Sequence, residues 1–505
     1  MRAAGSGRAP AGRDASRDVV PPTYRRGVTT STTTWVRELQ DALGTGNVLT
    51  DPDVTLAYAR DQAMLAEAGL PAAVVLPRST EEVVAVMQVA SRHGVPVVPR
   101  GAGSGLVGAA NAVDGCITLV LTRMDAVLEV DPADRLAVVQ PGVVNKTLRD
   151  AVRGHGLFYP PDPASYDWCT IGGNLAVNSG GLCCVKYGVT TDYVLGLEVV
   201  LADGRVLRTG RRTVKGVAGY DLARLFVGSE GTLGVITEAT LALRPAPASP
   251  ITLVASFPTT AQTGQVVESV VTSGLVPSML EVMDRTCIRA VDDMLKSDLD
   301  RDAAALLLAQ SDSGGASAVE EIAALTRLCE EAGADFVHST DDPAEGDMLM
   351  TARRMALPAL ERIASSLLLD DVAVPRSQVA TFIDGCVAIS AQADLVIGVV
   401  GHAGDGNMHP TIVFDGTDPD QRTRAFAAFD AILELGLSLG GTITGEHGVG
   451  TLKAEWLERE IGPVSLSVHQ AIKDALDPAG LLNPGKLFRR AHRADLGALG
   501  ALTGA

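Results

Sequence analysis

The chain lacks any C-x-x-C pair. Its seven cysteines (Cys116, Cys169, Cys183, Cys184, Cys287, Cys329 and Cys386) are odd in number and scattered along 505 residues. That spacing excludes a zinc ribbon or an iron–sulfur ligand set and reads as reduced thiols in a cytoplasmic compartment. Apolar runs long enough to span a bilayer are missing, and no hydrophobic signal core follows Met1-Arg2, so a soluble body is expected. Positive charge is scarce: 42 Lys and Arg against 60 Asp and Glu leave a formal net charge of -18. A polyanion is repelled by DNA, RNA and anionic membrane surfaces, which leaves small molecules or other proteins as partners. Charged residues are only 20% of the chain against 46% hydrophobic, which excludes disorder as the main state and supports two or three buried cores.

Residues 1–34 are rich in Arg, Ser, Thr and Gly, with only Asp14 and Asp18 as acids, a composition shared by organelle transit peptides. No amphipathic apolar stripe runs through them, which favours a disordered tail or a translation start further downstream. From residue 35 short β-branched runs alternate with helical patterns. Strands are expected at 73–76, 95–98, 117–121, 137–140, 196–201 and 234–243, with a helix from residue 81 opened by Thr80. Pro245-Ala246-Pro247 reads as a linker, closing a first domain at 35–247. In the second domain, 248–440, strands at 251–257, 278–283, 304–309 and 335–338 alternate with helices near 260–273, between 283 and 304, and at 318–332, an order that suggests a ferredoxin-like or related split α/β layer. A C-terminal segment, 441–490, and a frayed Ala- and Gly-rich tail, 491–505, complete the chain.

Arg100-Gly101-Ala102-Gly103-Ser104-Gly105-Leu106-Val107-Gly108 contains a literal G-x-G-x-x-G after a strand. A nicotinamide Rossmann site needs a helix immediately afterwards. Here a turn leads straight into the strand at 117–121, leaving either a bare glycine turn or a nest of backbone N–H groups around a diphosphate. Further glycine clusters at Gly172-Gly173, Gly180-Gly181 and Gly228-Ser229-Glu230-Gly231 favour a large planar ligand lying against backbone.

Gly401-His402-Ala403-Gly404-Asp405-Gly406-Asn407-Met408-His409 reads as strand, tight turn, strand, which brings two imidazoles together. Thr444-Gly445-Glu446-His447-Gly448 adds a carboxylate and a third imidazole between glycines. Two histidines and a carboxylate with an open position suit Zn²⁺ or another divalent transition metal, while the residues alone equally allow a glycine-flanked turn.

Together these motifs resemble the flavoproteins with a vanillyl-alcohol-oxidase-type FAD domain. Within them, they resemble the FAD-dependent D-2-hydroxyacid dehydrogenase branch (glycolate oxidase large subunit, D-lactate dehydrogenase, D-2-hydroxyglutarate dehydrogenase), over about residues 40–490. The resemblance implies an α+β chain: an FAD domain, then a ferredoxin-like cap for substrate, then a helical C-terminal segment returning to the flavin. Pro99, Arg100, Gly101, Ala102, Gly103, Ser104, Gly105 and Gly108 are implied at the FAD diphosphate. Asp162, Ser165, Thr170, Gly172, Gly173, Asn178 and Gly181 are implied along the flavin, and Glu230, Gly231, Ile236 and Asn483 around the rest of the cofactor. No histidine lies in 99–110, so the FAD is implied to be non-covalent. His402, His409 and Glu446 match metal ligands, zinc being the first choice. Asn407 and Arg353 match substrate contacts, ahead of the neighbouring Arg354, and His447 matches the catalytic base.

The activity implied is oxidation of a D-2-hydroxyacid to its 2-oxoacid, by hydride transfer to flavin N5 and deprotonation of the hydroxyl by a neutral histidine. Relatives acting on dicarboxylates carry a hydroxyl and a lysine where this chain has Leu357 and Leu369, which favours a monocarboxylate such as D-lactate or glycolate. Without a second flavin motif or a cysteine cluster, the electrons are expected to pass to an external acceptor: an electron-transfer flavoprotein, a quinone or an iron–sulfur partner subunit. An oxygen-using oxidase of the same fold and a non-catalytic flavin-binding subunit are the rival readings. A cytoplasmic protein is expected, with attachment at the periphery of the inner membrane and a homodimer left open.

Overall fold

The structure, a computed structural model, describes residues 32–488, so the expectations for the two tails fall largely outside the described residues. After helices Thr32–Leu43 and Pro52–Leu56, the helix expected from residue 81 spans Thr80–His93 and ends at Gly94 in the left-handed conformation. Its cap is Ser79, which accepts from Glu82 N; Thr80, the expected cap, instead donates to Glu198. A four-stranded sheet has the order Val48–Leu49, Ala73–Val75, Ile117–Val120, Val97–Arg100, and its last three strands are parallel. Parallel neighbours normally need a crossover helix. Here residues 101–116 cross over as a loop without one, as the sequence indicates.

A five-stranded antiparallel sheet follows, in the order Val127–Asp131, Leu136–Val139, Val235–Ala242, Val194–Val200, Val206–Gly210. Its two edge strands are only partly buried and were not expected. The segment read as a linker begins inside a short strand: Arg244–Pro245 pairs with Leu157–Phe158. Val200 and Val235 of this sheet share one core with Val97 and Leu119 of the first.

The third sheet has the order Phe336–Thr340, Ile251–Phe257, Ala305–Ser311, Met279–Asp284, Val396–His402, Asn407–Phe414, Ser366–Leu369. Its first four strands, numbered by sequence, stand 4-1-3-2, the ferredoxin-like arrangement, with an added helix Arg285–Leu295 between the second and third. The Val396–His402/Asn407–Phe414 hairpin extends the same sheet instead of standing apart. Helices Thr260–Ser273, Val379–Ala393 and Pro419–Ser438 cover one face, through Val266, Phe382 and Ile432. Met279, Met283 and Val400 point to the other.

After the helical stretch Leu457–Leu476, broken at Gly462 and Pro463, the chain returns to the first sheet. Asn483 N donates to Val97 O at 2.8 Å and Leu482 is fully buried beside Val97. No helix among the described residues is long and apolar enough to cross a membrane.

Candidate active site

The glycine loop needs its glycines for steric reasons. A Cβ at Gly101 would collide with Thr170 Oγ1, and one at Gly103, where φ is +81°, would collide with the Arg100 guanidinium folded beneath it. Arg100 is buried, and its Nη1 has no partner among the described residues. Thr170 caps the short helix Ile171–Val177, so Gly172 and Gly173 lie in a helical turn pressed on Pro141 and Thr170. Loop, helix and the Ser229-Glu230-Gly231 turn line one cleft of about 1310 Å³, above the usual ~300–1,000 Å³ of small-ligand pockets and roomy enough for a dinucleotide beside a small acid. Backbone approach at the glycines, a buried guanidinium with one N–H group unsatisfied and this volume fit an FAD.

The same cleft reaches the histidines. In the hairpin His402 pairs with Asn407 and Val400 with His409, so His402 and His409 stand on one face, diagonally adjacent. Their ring centroids are 5.0 Å apart. Glu446 Oε1 lies 3.3 Å from His402 Nε2 and 3.3 Å from His409 Nε2. Ligands about 2.0–2.1 Å from a tetrahedral Zn²⁺ stand roughly 3.3 Å from one another. Both contacts of Glu446 match that spacing, and the three ligand atoms all lie within 4.8 Å of one another. Gly180 joins the two halves of the cleft, because a Cβ there would strike Glu446 Oε2. His447 stacks on His409 with centroids 5.0 Å apart, and its Nε2 is 4.0 Å from Glu446 Oε1. Burial lowers the His447 pKa from its ordinary value, outweighing the pull of Asp371, which leaves a neutral imidazole.

Two fully buried acids that the sequence reading missed stand behind the histidines. Glu281 lies with Oε1 2.7 Å from His402 Nδ1 and accepts from Arg353 Nε at 2.9 Å with Oε2. Asp371 Oδ2 accepts from Thr444 Oγ1 and from the N–H groups of Gly445, Glu446 and His447, at 2.7–3.0 Å. Its Oδ1 faces His409 Nδ1 at 3.6 Å, and neither atom has a hydrogen-bond partner among the described residues. Burial alone would raise the Asp371 pKa, but His447, Lys453 and His409 hold the carboxyl far below the ordinary range. Asp371, His409 and His447 also cluster closely enough to hold an ion. Asp371 Oδ2, however, is taken up by the backbone turn, and Oδ1 faces His409 Nδ1 rather than the Nε2 that meets Glu446, which makes this acid a rear support. A signal for both was present: each acid interrupts an otherwise apolar strand pattern, Met279-Leu280-Glu281-Val282-Met283 and Leu368-Leu369-Asp370-Asp371-Val372.

Of the residues singled out from the sequence, those at 99–105, Asp162, Ser165, Gly172, Gly173, Gly181, Glu230, Gly231, Ile236, Arg353, His402, His409, Glu446 and His447 line the cleft. Gly108, Thr170, Asn178, Asn407 and Asn483 stand behind it. Gly108 turns the loop at φ +76°. Asn178 ends the helix in the left-handed conformation and accepts from Thr191 N. Asn483 Nδ2 donates to Ala109 O and Glu230 O, bracing the cradle. Asn407 is buried, and its Oδ1, which lies against Gly445, has no hydrogen-bond partner among the described residues. Glu230 accepts from Val449 N and Gly450 N at 2.7 and 2.8 Å, tying the segment after His447 to the cradle. Burial pushes its carboxyl up to about 7. Arg353 is almost buried, whereas Arg354 is half exposed and pairs with Asp347.

Two family profiles match the chain: an FAD binding domain over residues 71–210 and the C-terminal domain of FAD linked oxidases over residues 246–487. Glycolate oxidase subunit GlcD of Bacillus subtilis is 42% identical, the match covering 84% of this chain and 90% of that protein. D-lactate dehydrogenase of Anaerostipes hadrus is 34% identical over 87% of this chain and 94% of its own. Among solved structures, 4-ethylphenol oxidase from Gulosibacter chungangensis superposes with a TM-score of 0.75 at 21% identity, covering 92% of this chain and 99% of that one. A p-cresol methylhydroxylase does so at 0.74 and 19%, covering 91% and 98%.

Proposed function

The chain belongs to the FAD-linked D-2-hydroxyacid dehydrogenase branch of the vanillyl-alcohol-oxidase-type flavoproteins, and from that membership we propose that it oxidises a D-2-hydroxyacid to the 2-oxoacid, with D-lactate or glycolate favoured. The observation that carries this reading is the convergence of His402 Nε2, His409 Nε2 and Glu446 Oε1 beside His447 in the cleft that holds the glycine cradle. Residues 99–105 would hold the FAD diphosphate, Asp162, Ser165, Gly172, Gly173 and Gly181 would flank the flavin, and His402, His409 and Glu446 would hold a divalent ion such as zinc. When bound, the FAD supplies an acceptor for the hydrogen and electron pair on the substrate Cα, and the ion supplies positive charge that makes the hydroxyl more acidic.

This chain's own residues supply the remaining functions. Arg353 holds the substrate carboxylate, its Nε fixed by Glu281 so that the rest of the guanidinium fork is free to point into the cleft. His447, kept neutral by burial, takes the hydroxyl proton. Leu357 and Leu369 line the cleft and offer no charge to a second carboxylate, which supports a monocarboxylate. The described residues hold all seven cysteines as free thiols, scattered and mostly buried, so the electrons pass to an external acceptor: an electron-transfer flavoprotein, a quinone or an iron–sulfur subunit. The relative named as a glycolate oxidase subunit supports a partner protein in that role. Free thiols also support a reducing compartment. In this reading residues 35–247 form the FAD domain, 248–440 the cap and 441–490 the closing segment.

Two variants test the assignment of roles. Glu446→Gln is expected to lose metal along with activity, since an amide is a poorer ligand than a carboxylate. His447→Asn is expected to keep metal and FAD while kcat falls by about 10²–10⁴-fold. Metal missing from His447→Asn and retained by Glu446→Gln would reverse the two roles.

A further inference from the structure

Glu281 lies in the middle of the strand Met279–Asp284, fully buried and directly opposite His402 in the sheet register. Its neighbours on the same face, Met279 and Met283, are apolar and belong to the core. An unpaired carboxylate at such a place is costly, and an apolar side chain of similar size would pack as well. The distinction of the acid is that each oxygen serves a different group: Oε1 lies 2.7 Å from His402 Nδ1, and Oε2 accepts from Arg353 Nε at 2.9 Å.

The consequences follow from donor and acceptor chemistry. A carboxylate facing Nδ1 holds a proton there, so that an ion can displace a proton only from Nε2, the nitrogen that faces Glu446 Oε1 and the space shared with His409. The same carboxylate, taking the Nε–H of Arg353, fixes the guanidinium plane by its inner edge and leaves the Nη edge for an anion in the cleft. We propose that Glu281 is a positioning residue that sets the metal-binding tautomer of His402 and the aim of the Arg353 fork together, so that the hydroxyl and the carboxylate of a 2-hydroxyacid are received by groups referenced to a single carboxylate. This inference rests on the reading of His402 as a metal ligand and Arg353 as the carboxylate anchor.

The test uses the full-length, FAD-loaded protein, with zinc affinity measured by competition against a chromophoric chelator and KM for D-lactate measured at saturating zinc with an artificial electron acceptor. Glu281→Met removes both acceptors while keeping the volume. It is expected to weaken zinc binding by about 10–100-fold and to raise KM by about tenfold or more, with FAD content at the wild-type level. Zinc affinity and KM both within twofold of wild type would overturn the inference, as would a loss confined to one of them, which would leave Glu281 the support of a single group. Should the Met variant fail to fold, Glu281→Gln decides. Its amide can accept from only one neighbour and presents N–H to the other, so zinc affinity or KM must shift tenfold, and no shift in either overturns the proposal. The wild-type protein keeps the two failures apart. If it binds no zinc, or if Arg353→Lys leaves KM unchanged, the site assignment itself is wrong; if both controls hold and the Glu281 variants behave as wild type, only the coupling is wrong.

Discussion

Replacing Asp371 by Asn should disable the site while leaving all three ligand side chains in place. Asp371 Oδ2 accepts four hydrogen bonds, from Thr444 Oγ1 and three consecutive N–H groups, so the oxygen of the introduced amide must take that side. Its NH₂ then faces His409 Nδ1, which the carboxylate oxygen faces at 3.6 Å. A donor there favours the proton on Nε2, the nitrogen that lies 3.3 Å from Glu446 Oε1, and a protonated nitrogen cannot ligate. Zinc affinity should therefore fall by about 10–100-fold. Exchanging a carboxylate acceptor for a neutral one costs about 1 kcal/mol per bond, or about 4 kcal/mol over the four. Chelator competition reads the first effect and urea unfolding of the zinc-free, FAD-loaded protein the second. An Asp371→Asn protein with wild-type zinc affinity and an unchanged urea midpoint would refute the reasoning.

Acid precipitation should release all the FAD into the supernatant, because no histidine lies in residues 99–110 to bind it covalently; yellow colour in the washed pellet would contradict this. NAD should neither bind in calorimetry nor be reduced, since no helix follows the glycine loop before Ile117. Arg353→Lys should raise KM for D-lactate steeply and lower kcat as well, because a point charge cannot hold a carboxylate in bidentate geometry; unchanged kinetics would move the anchor elsewhere. D-2-Hydroxyglutarate should be oxidised with a kcat/KM at least about tenfold below that of D-lactate, its second carboxylate meeting Leu357 and Leu369, and equal values would remove the argument for a monocarboxylate.

What could be read from the sequence was what is local in it. His402 and His409 are seven residues apart on one hairpin, and Glu446 and His447 are adjacent, so both halves of the cluster carry their own motif. The missing crossover helix after Gly108 was legible for the same reason, as were the strand Ile251–Phe257 and the helix Thr260–Ser273. Glu281 and Asp371 act across 121 and up to 76 residues of sequence, and neither a lone acid in an apolar strand nor an Asp-Asp pair between two short strands announces its partner. The strands Val127–Asp131 and Val206–Gly210 escaped because they are sheet edges, partly exposed, where apolar alternation is weak. Asn178 and Asn483 look like ligand contacts in a motif, yet both adopt positive φ, 56° and 42°, and use their side chains to brace the chain.

We propose a single cleft in which a D-2-hydroxyacid is oxidised with FAD and a divalent ion held by His402, His409 and Glu446. Anaerobic stopped-flow bleaching of the bound FAD tests it most directly, on the protein as purified, after chelator treatment and after zinc is returned. D-Lactate or glycolate should bleach the first and third samples and leave the second yellow, while L-lactate leaves all three yellow. Equal bleaching by L-lactate, or undiminished bleaching after the ion has been removed, would contradict the account.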